Sequence, residues 1–255
     1  MDSQIIFRLK QFSTISLSEM KSVKLMNRID TKYITTKNRI PEILQAVQEN
    51  YFVQAIGENP VAHYQTLYYD TPDLQMYVAH HNRKLNRQKI RTRIYTDSDL
   101  AFCEIKNKTN KGRTKKKRIE ISLSEFDNIL NNEKVLDFIK ANLNYDANSL
   151  VRQVENSFDR ITLVNANKTE RITIDSNLSF FNRNTNCKAS MEDVAIIELK
   201  QDGRYDSQFK SSLCELRIFP KRISKYCLGT ILTNENAKNN RFKAKLRYIN
   251  KVLIH

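Results

Sequence analysis

Between Lys84 and Tyr95 the chain reads KLNRQKIRTRIY, with Lys89, Arg91 and Arg93 at alternate positions and Ile90, Thr92 and Ile94 between them. A strand with this period carries cations on one face and apolar or β-branched side chains on the other. The alternation recurs. Glu104, Lys106 and Lys108 alternate with Ile105 and Asn107, Arg171, Thr173 and Asp175 alternate with Ile172 and Ile174, and Glu198 and Lys200 flank Leu199 behind the apolar run Val194 to Ile197. Several strands that each carry charge on one face predict a sheet closed around a basic interior.

The remaining pattern places helices at a few points among the strands. Ser16 to Glu19 reads as a capping box opening a short helix toward Lys24. A strand follows at about 28–35. Thr36 then caps a helix with Pro41 in its first turns and Ile40, Ile43, Leu44 and Val47 at helical spacing, ending near Asn50. Strands are predicted at about 64–70, 84–95, 101–108 and 115–121. A second capping box, Ser122 to Glu125, opens helical segments through Leu143. Strands return at about 153–164, 169–175 and 195–200, followed by helices at 205–216 and 224–233.

This order predicts an α+β fold with a mainly antiparallel sheet, rather than a doubly wound α/β fold. Closing the sheet would also remove exposed edges. No repeat or low-complexity linker interrupts the chain, so 1–255 reads as one domain with an N-terminal helix at about 16–25 and a basic helical tail at about 239–255.

Composition narrows the class of partner. The 255 residues carry a formal net charge of +15, which points to nucleic acid, an anionic membrane surface or a phosphate-rich small molecule. Cys103, Cys187, Cys214 and Cys227 are scattered without a close pair or a neighbouring His, so neither a zinc site nor a disulfide framework is indicated. No apolar run approaches the length of a membrane span, and MDSQIIFRLKQF lacks the core of a signal peptide. A cytoplasmic location is expected.

The four glycines, Gly57, Gly112, Gly203 and Gly229, form neither GxGxxG nor GxxxxGK[ST], so a phosphate-rich ligand must be held by side chains. Arg91, Arg93, Lys106, Arg160 and Arg171 are the natural candidates. Same-face neighbours two apart on a strand sit about 7 Å from each other, and at an effective dielectric of 20 each such cation pair costs roughly 2 kcal/mol unless an anion offsets it. Glu104 and Glu198 are the carboxylates among these cations, each two residues before a Lys. They read either as intrasheet ion pairs or as hard oxygen ligands for Mg²⁺ or Mn²⁺, and the two roles are compatible. His63, His80, His81 and His255 form no triad, with His80 and His81 falling in a loop, and Ser16, Ser124 and Ser224 suit helix caps better than nucleophiles. Acyl and hydride transfer find no support.

Eight motifs occur in an order that resembles the VTC domain, the catalytic domain of the vacuolar transporter chaperone polyphosphate polymerases and their bacterial relatives, within the triphosphate tunnel metalloenzyme superfamily. They are RIDTKY from Arg28, LYYDTPDLQMY from Leu67, KLNRQKIRTRIY from Lys84, CEIKNKTNKGRTKKKR from Cys103, FDRITL from Phe158, RITID from Arg171, IIELK from Ile196 and SKYCLG from Ser224. The resemblance implies an antiparallel β-barrel forming a basic tunnel with helices packed outside. It implies that Lys32, Arg91, Arg93, Lys106, Arg160, Arg171, Lys200 and Lys225 line the tunnel with either Lys116 or Lys117, that Glu198 binds metal, and that Ser224 lies near the phosphates. Two departures stand out. Phe158 replaces an expected Tyr and Arg222 an expected Lys.

The implied reaction is transfer of the γ-phosphate of ATP to a growing inorganic polyphosphate chain with Mn²⁺ or Mg²⁺, with a separately encoded membrane partner left open and no specific nucleic acid expected. Two rivals remain. A triphosphatase of the same superfamily typically carries ExExK on its first strand, where this chain has Arg28-Ile29-Asp30-Thr31-Lys32. A binding module without turnover would explain the run from Lys108 to Arg118 as a solvated charged hairpin.

Overall fold

The computed structural model describes residues 2–20, 23, 25, 28–111, 114–203 and 206–254. Asp2 caps α1 (Ser3–Leu9), and a short strand β1 (Thr14–Ser16) leads into the single turn α2 (Leu17–Met20). The Ser16 and Glu19 side chains and backbone amides bond reciprocally as the capping box requires. The helix ends at Met20, and Lys24 lies outside the described residues. Next come β2 (Arg28–Thr36), α3 (Ile40–Val47), β3 (Tyr51–Ala55), β4 (Val61–Asp70), α4 (Gln75–His81), β5 (Arg87–Tyr95), β6 (Leu100–Lys108) and β7 (Thr114–Ile121). Two 3₁₀ turns precede α5 (Glu133–Asn142), whose cap Asn132 accepts from the Lys134 and Val135 amides. Four strands follow, β8 (Val151–Asn165), β9 (Glu170–Asn182), β10 (Lys188–Met191) and β11 (Val194–Asp202). The chain closes with α6 (Gln208–Glu215), α7 (Lys225–Thr233) and α8 (Lys243–Ile254). Tyr205, placed at the start of a helix by the sequence pattern, lies outside the described residues, as does His255.

The sheet runs in the order β2-β11-β9-β8-β4-β5-β6-β7 with antiparallel pairing throughout; β10 extends it beside β9, and β1 and β3 form a parallel pair attached to β8. It is a curled half-barrel with helices around it. Among the described residues β2 and β7 do not pair, so the expected closure is incomplete. A competing segment explains this on the β2 side. Pro220 bridges to Tyr33, and the Lys221 amide donates to the Lys32 carbonyl, so the outer edge of β2 is already occupied. On the β7 side the edge is left to Lys-rich sequence, a common protection against edge pairing.

Period-two alternation divides the sheet into faces. Ile172, Ile174, Ile197 and Leu199 face outward into a core closed by α1, α3 and α6. Ile90, Cys103 and Ile105 face outward into a second core under α5. The concave face has an apolar end, where Ile34, Ile196, Val154 and Phe180 receive Tyr226 and Leu228 of α7, with Tyr77 of α4 and Phe242 and Ile249 beside them. Gly229 allows this approach, because a Cβ there would lie 2.6 Å from Phe180 Cδ1 and 2.7 Å from Val154 Cγ1. The rest of the concave face is charged.

Candidate functional site

Strand register brings the charged residues together. Lys32 opposes Glu198, Glu198 opposes Thr173, Lys200 opposes Arg171, and Asp175 opposes Arg160, so the first wall combines β2, β11, β9 and β8. On the second wall Arg91 opposes Glu104, and Lys89, Lys106 and Lys116 form one row across β5, β6 and β7. The same register settles the position of the two neighbouring lysines. Lys116 faces the basin, while Lys117 opposes Ile105 on the outer face and donates to Asn142 Oδ1 at 2.5 Å. Lys117 is therefore corrected from the basin to the surface.

Three carboxylates organise the cations. Glu104, with no exposure, accepts from Arg91 Nε at 2.8 Å and Nη2 at 2.5 Å, and pairs with Lys116 Nζ at 2.9 Å. Asp175 accepts from Arg160 Nε at 2.5 Å and Nη2 at 2.7 Å, and also pairs with Lys225. Glu198 pairs with Lys32 at 2.5 Å and Lys200 at 2.9 Å. Burial alone would push each carboxyl pKa up. The adjoining cations outweigh burial, with Arg91, Arg93 and Lys116 holding Glu104, Arg160 and Lys225 holding Asp175, and Lys200 and Lys32 holding Glu198 below the usual carboxylate range.

A surplus of positive charge remains. Among the described residues Lys89, Arg93, Lys106 and Arg171 have no salt bridge. Arg91, then burial and Arg93, hold the Lys106 ammonium well below its usual range. Lys89 donates to Ser224 Oγ at 2.7 Å, and Arg93 to Thr66 Oγ1 at 3.1 Å. Arg93 and Arg160 also lie over a stacked pair, Tyr64 and Phe158, whose centroids are 5.2 Å apart. Lys225 approaches the Phe158 ring at 3.8 Å, so the aromatic floor survives without a tyrosine hydroxyl. Arg222 is exposed at the rim; burial first, with Arg222 adding to it, lowers the Arg87 guanidinium, and burial, then Arg87 and Arg222, lower the Lys108 ammonium.

The N-terminus of α7 reaches into this basin. Ser224 is its cap, accepting from the Cys227 amide, and Lys225 is its first residue. A residue that sequence reasoning passed over holds this end in place. Asp70, fully buried, accepts from the amides of Thr71, Met76 and Tyr77 and from the Tyr226 hydroxyl, tying the start of α4 to α7. Its motif, LYYDTPD, was visible, but nothing local reveals a partner 156 residues away.

His80 and His81 lie on α4 rather than in a loop. His80 accepts from Arg87 Nε and contacts the Gln88 carbonyl, while His81 is buried against Phe242. The run from Lys108 to Arg118 is the β6–β7 hairpin, with residues 112 and 113 outside the description. Two cavities, of about 380 and 290 Å³, are lined by none of the basin cations.

Few donors in the basin could hold a divalent metal. Among the described residues no three His, Cys, Asp or Glu side chains form a metal-binding group. Glu104 does not fit, because Arg91 and Lys116 take both oxygens and the side chain has no exposure. Glu198, 17% exposed, fits as a single hard ligand if Lys32 or Lys200 turns to a bound anion. That suits Mg²⁺ or Mn²⁺, which usually take one or two carboxylates and complete their shell with water and phosphate oxygens.

The profile of the VTC domain matches residues 27–234. No curated protein matches the chain. Among solved structures, a candidate adenylate cyclase from Bacillus halodurans is similar at 14% identity, over 78% of this chain and 96% of that one, with a TM-score of 0.50. A Hippeastrum protein, described as a candidate adenylyl cyclase with a dominant triphosphatase activity, shares 12% identity over 81% of this chain and 96% of its own, with a TM-score of 0.48. At 14% identity the likeness to the Bacillus halodurans protein is one of fold. No helix among the described residues is long and apolar enough to cross a membrane.

Proposed function

The chain belongs to the VTC domain family and shares the fold of the triphosphate tunnel proteins, and from that premise we propose that it is a phosphoryl-transfer enzyme that makes inorganic polyphosphate from ATP. The observation that carries this reading is the row Lys89–Lys106–Lys116, bordered by the opposed pair Arg87 and Lys108. Like charges directly opposed across strands are destabilising. Their concentration on one concave wall is accounted for by a polyanion that neutralises them.

The chemistry asks little else of the protein. An oxygen of the terminal phosphate of the growing chain attacks the γ-phosphorus of ATP, the bond to the β–γ bridging oxygen breaks, and ADP leaves. That nucleophile is already ionised, so no general base is required: no His among the described residues lies in the basin, and Ser224 there serves as the cap of α7 and an acceptor for Lys89. Arg91, Arg93, Arg160 and Arg171 would align the phosphates in line, and Lys32, Lys106, Lys200 and Lys225 would neutralise charge. A divalent metal held by Glu198 would add charge neutralisation on the transferring group. ATP and polyphosphate are the proposed ligands, and Mn²⁺ or Mg²⁺ the proposed cofactor.

The geometry favours this over hydrolysis at a carboxylate-rich centre. Asp30, the one acid in the first-strand motif, pairs with Arg28 at 2.7 Å, and the three basin carboxylates are each shared between cations. The test is substitution. Arg93→Ala and Lys106→Ala should each remove most polymer synthesis from ATP and Mn²⁺ while preserving the fold, because each deletes same-sign repulsion. Wild-type rates in both would refute the assignment.

A further inference from the structure

On the charged part of the concave face, the hydroxyl of Thr173 has no partner among the described residues. Thr173 sits in the middle of β9 between Ile172 and Ile174, whose side chains are buried in the outer core, so alternation turns Thr173 toward the basin. Its cross-strand partners are Glu198 on β11 and Thr162 on β8, and its same-face neighbours along β9 are Arg171 and Asp175. The residue is 3% exposed, and its hydroxyl makes no hydrogen bond among the described residues. Buried hydroxyls are nearly always partnered, and each exception calls for a specific cause.

The setting of this hydroxyl differs from that of other unpartnered groups. Tyr33 faces the outer core, Asn156 and Asn182 oppose Phe180 and Val154 at the apolar end where α7 packs, and Ser176 opposes Asp159. Of these residues Thr173 alone opposes Glu198 and has Arg171 and Asp175 as same-face neighbours, with Lys32 and Lys200 bonded to Glu198 and Arg160 to Asp175.

We propose that Thr173 is a further phosphate-binding residue, whose hydroxyl donates its hydrogen to a non-bridging oxygen of a linear oligophosphate at the floor of the basin. This rests on the reading of the basin as an oligophosphate site. A short β-branched donor suits the position. It is held stiff at χ1, and it adds no charge to an already repulsive wall.

The test uses tripolyphosphate without metal, titrated into wild type, Thr173→Val, Thr173→Ser and Lys106→Ala, with ligand-free melting temperatures measured in parallel. Thr173→Val should bind about tenfold more weakly, as loss of a hydrogen bond to a charged group implies. Thr173→Ser, which keeps the hydroxyl, should stay within about threefold of wild type. Ligand-free Thr173→Val should melt no lower than wild type, because valine fills the same space without an unpaired hydroxyl. Binding by Thr173→Val within twofold of wild type overturns the proposal, and so does a lowered melting temperature shared by both Thr173 variants. If Lys106→Ala binds as well as wild type, the basin reading itself has failed, and Thr173 falls with it; if Lys106→Ala binds weakly and Thr173→Val normally, only the role of Thr173 has failed.

Discussion

Glu104→Gln removes one negative charge from beneath the cation cluster with almost no change of shape. In the native protein this fully buried carboxylate holds Arg91 by two hydrogen bonds and Lys116 by one. Removing one partner of a buried ion pair costs roughly 3 to 5 kcal/mol, because the other charge stays buried without compensation. For a chain of this length 1 kcal/mol corresponds to about 2–4 °C, so the variant should melt on the order of 6–20 °C below wild type. Tripolyphosphate at a hundred times its Kd stabilises any binder by about 2.7 kcal/mol. In the variant the bound anion also supplies the charge that Glu104 provided, so the gap from wild type should narrow on saturation. The assay is thermal unfolding at fixed ionic strength with and without tripolyphosphate. A ligand-free variant that melts with wild type, or a gap that the anion leaves unchanged, refutes the reasoning. The pH dependence follows from the same group. A carboxyl whose pKa is depressed on folding contributes stability fully above its unfolded value of about 4.3, and loses it as pH falls through the folded value. The variant should therefore lack the part of the wild-type acid sensitivity that appears below about pH 4.

Three other substitutions probe separate parts of the account. Burial, opposed by Asp175, brings the Lys225 ammonium down to about 7, so its charge fades as pH rises through that value; a lysine lowered on folding carries its burial penalty below the folded pKa and sheds it toward the unfolded one. Tripolyphosphate affinity should therefore fall between about pH 6 and 8 more steeply in wild type than in Lys225→Arg, and superimposable profiles would remove Lys225 from the site. Gly229→Ala forces a Cβ against Phe180 and Val154, an overpacking cost of about 1–3 kcal/mol against a helix-propensity gain of at most about 1 kcal/mol. Its denaturant midpoint should drop, and an unchanged midpoint would contradict the close packing of α7. Glu198→Gln should retain metal-free tripolyphosphate binding and lose the stimulation of turnover by Mn²⁺; intact stimulation would exclude Glu198 as the metal ligand.

Much of the concave face could be read from alternation alone, since Lys89, Arg91 and Arg93 share a face whenever their segment is a strand, and Ile90 and Ile94 then face the core under α5. The short or irregular elements were less legible. Helix α4 starts after Leu74, which has a left-handed backbone with φ of 59°, and its start is fixed by Thr71 Oγ1 and by Asp70 rather than by an adjacent cap. Strand β9 continues to Asn182 beyond the expected end at Asp175, through Asn177 with φ of 52° and an irregular register against β8, a break that looks local in sequence. The incomplete closure depends on Pro220 and Lys221 meeting β2, a contact between segments almost 190 residues apart. Glu104 and Glu198 show the same limit within the site. Both precede a Lys by two residues, and only the fold reveals that one is sealed between Arg91 and Lys116 while the other opens to the basin.

The most direct measurement incubates the purified protein with ATP and Mn²⁺ and quantifies ADP, free phosphate and acid-stable polymer in the same sample. The account predicts ADP matched by phosphate residues in polymer, with little free phosphate. ADP matched by free phosphate would make the chain a triphosphatase, and no ADP release at all would contradict phosphoryl transfer by this chain acting alone.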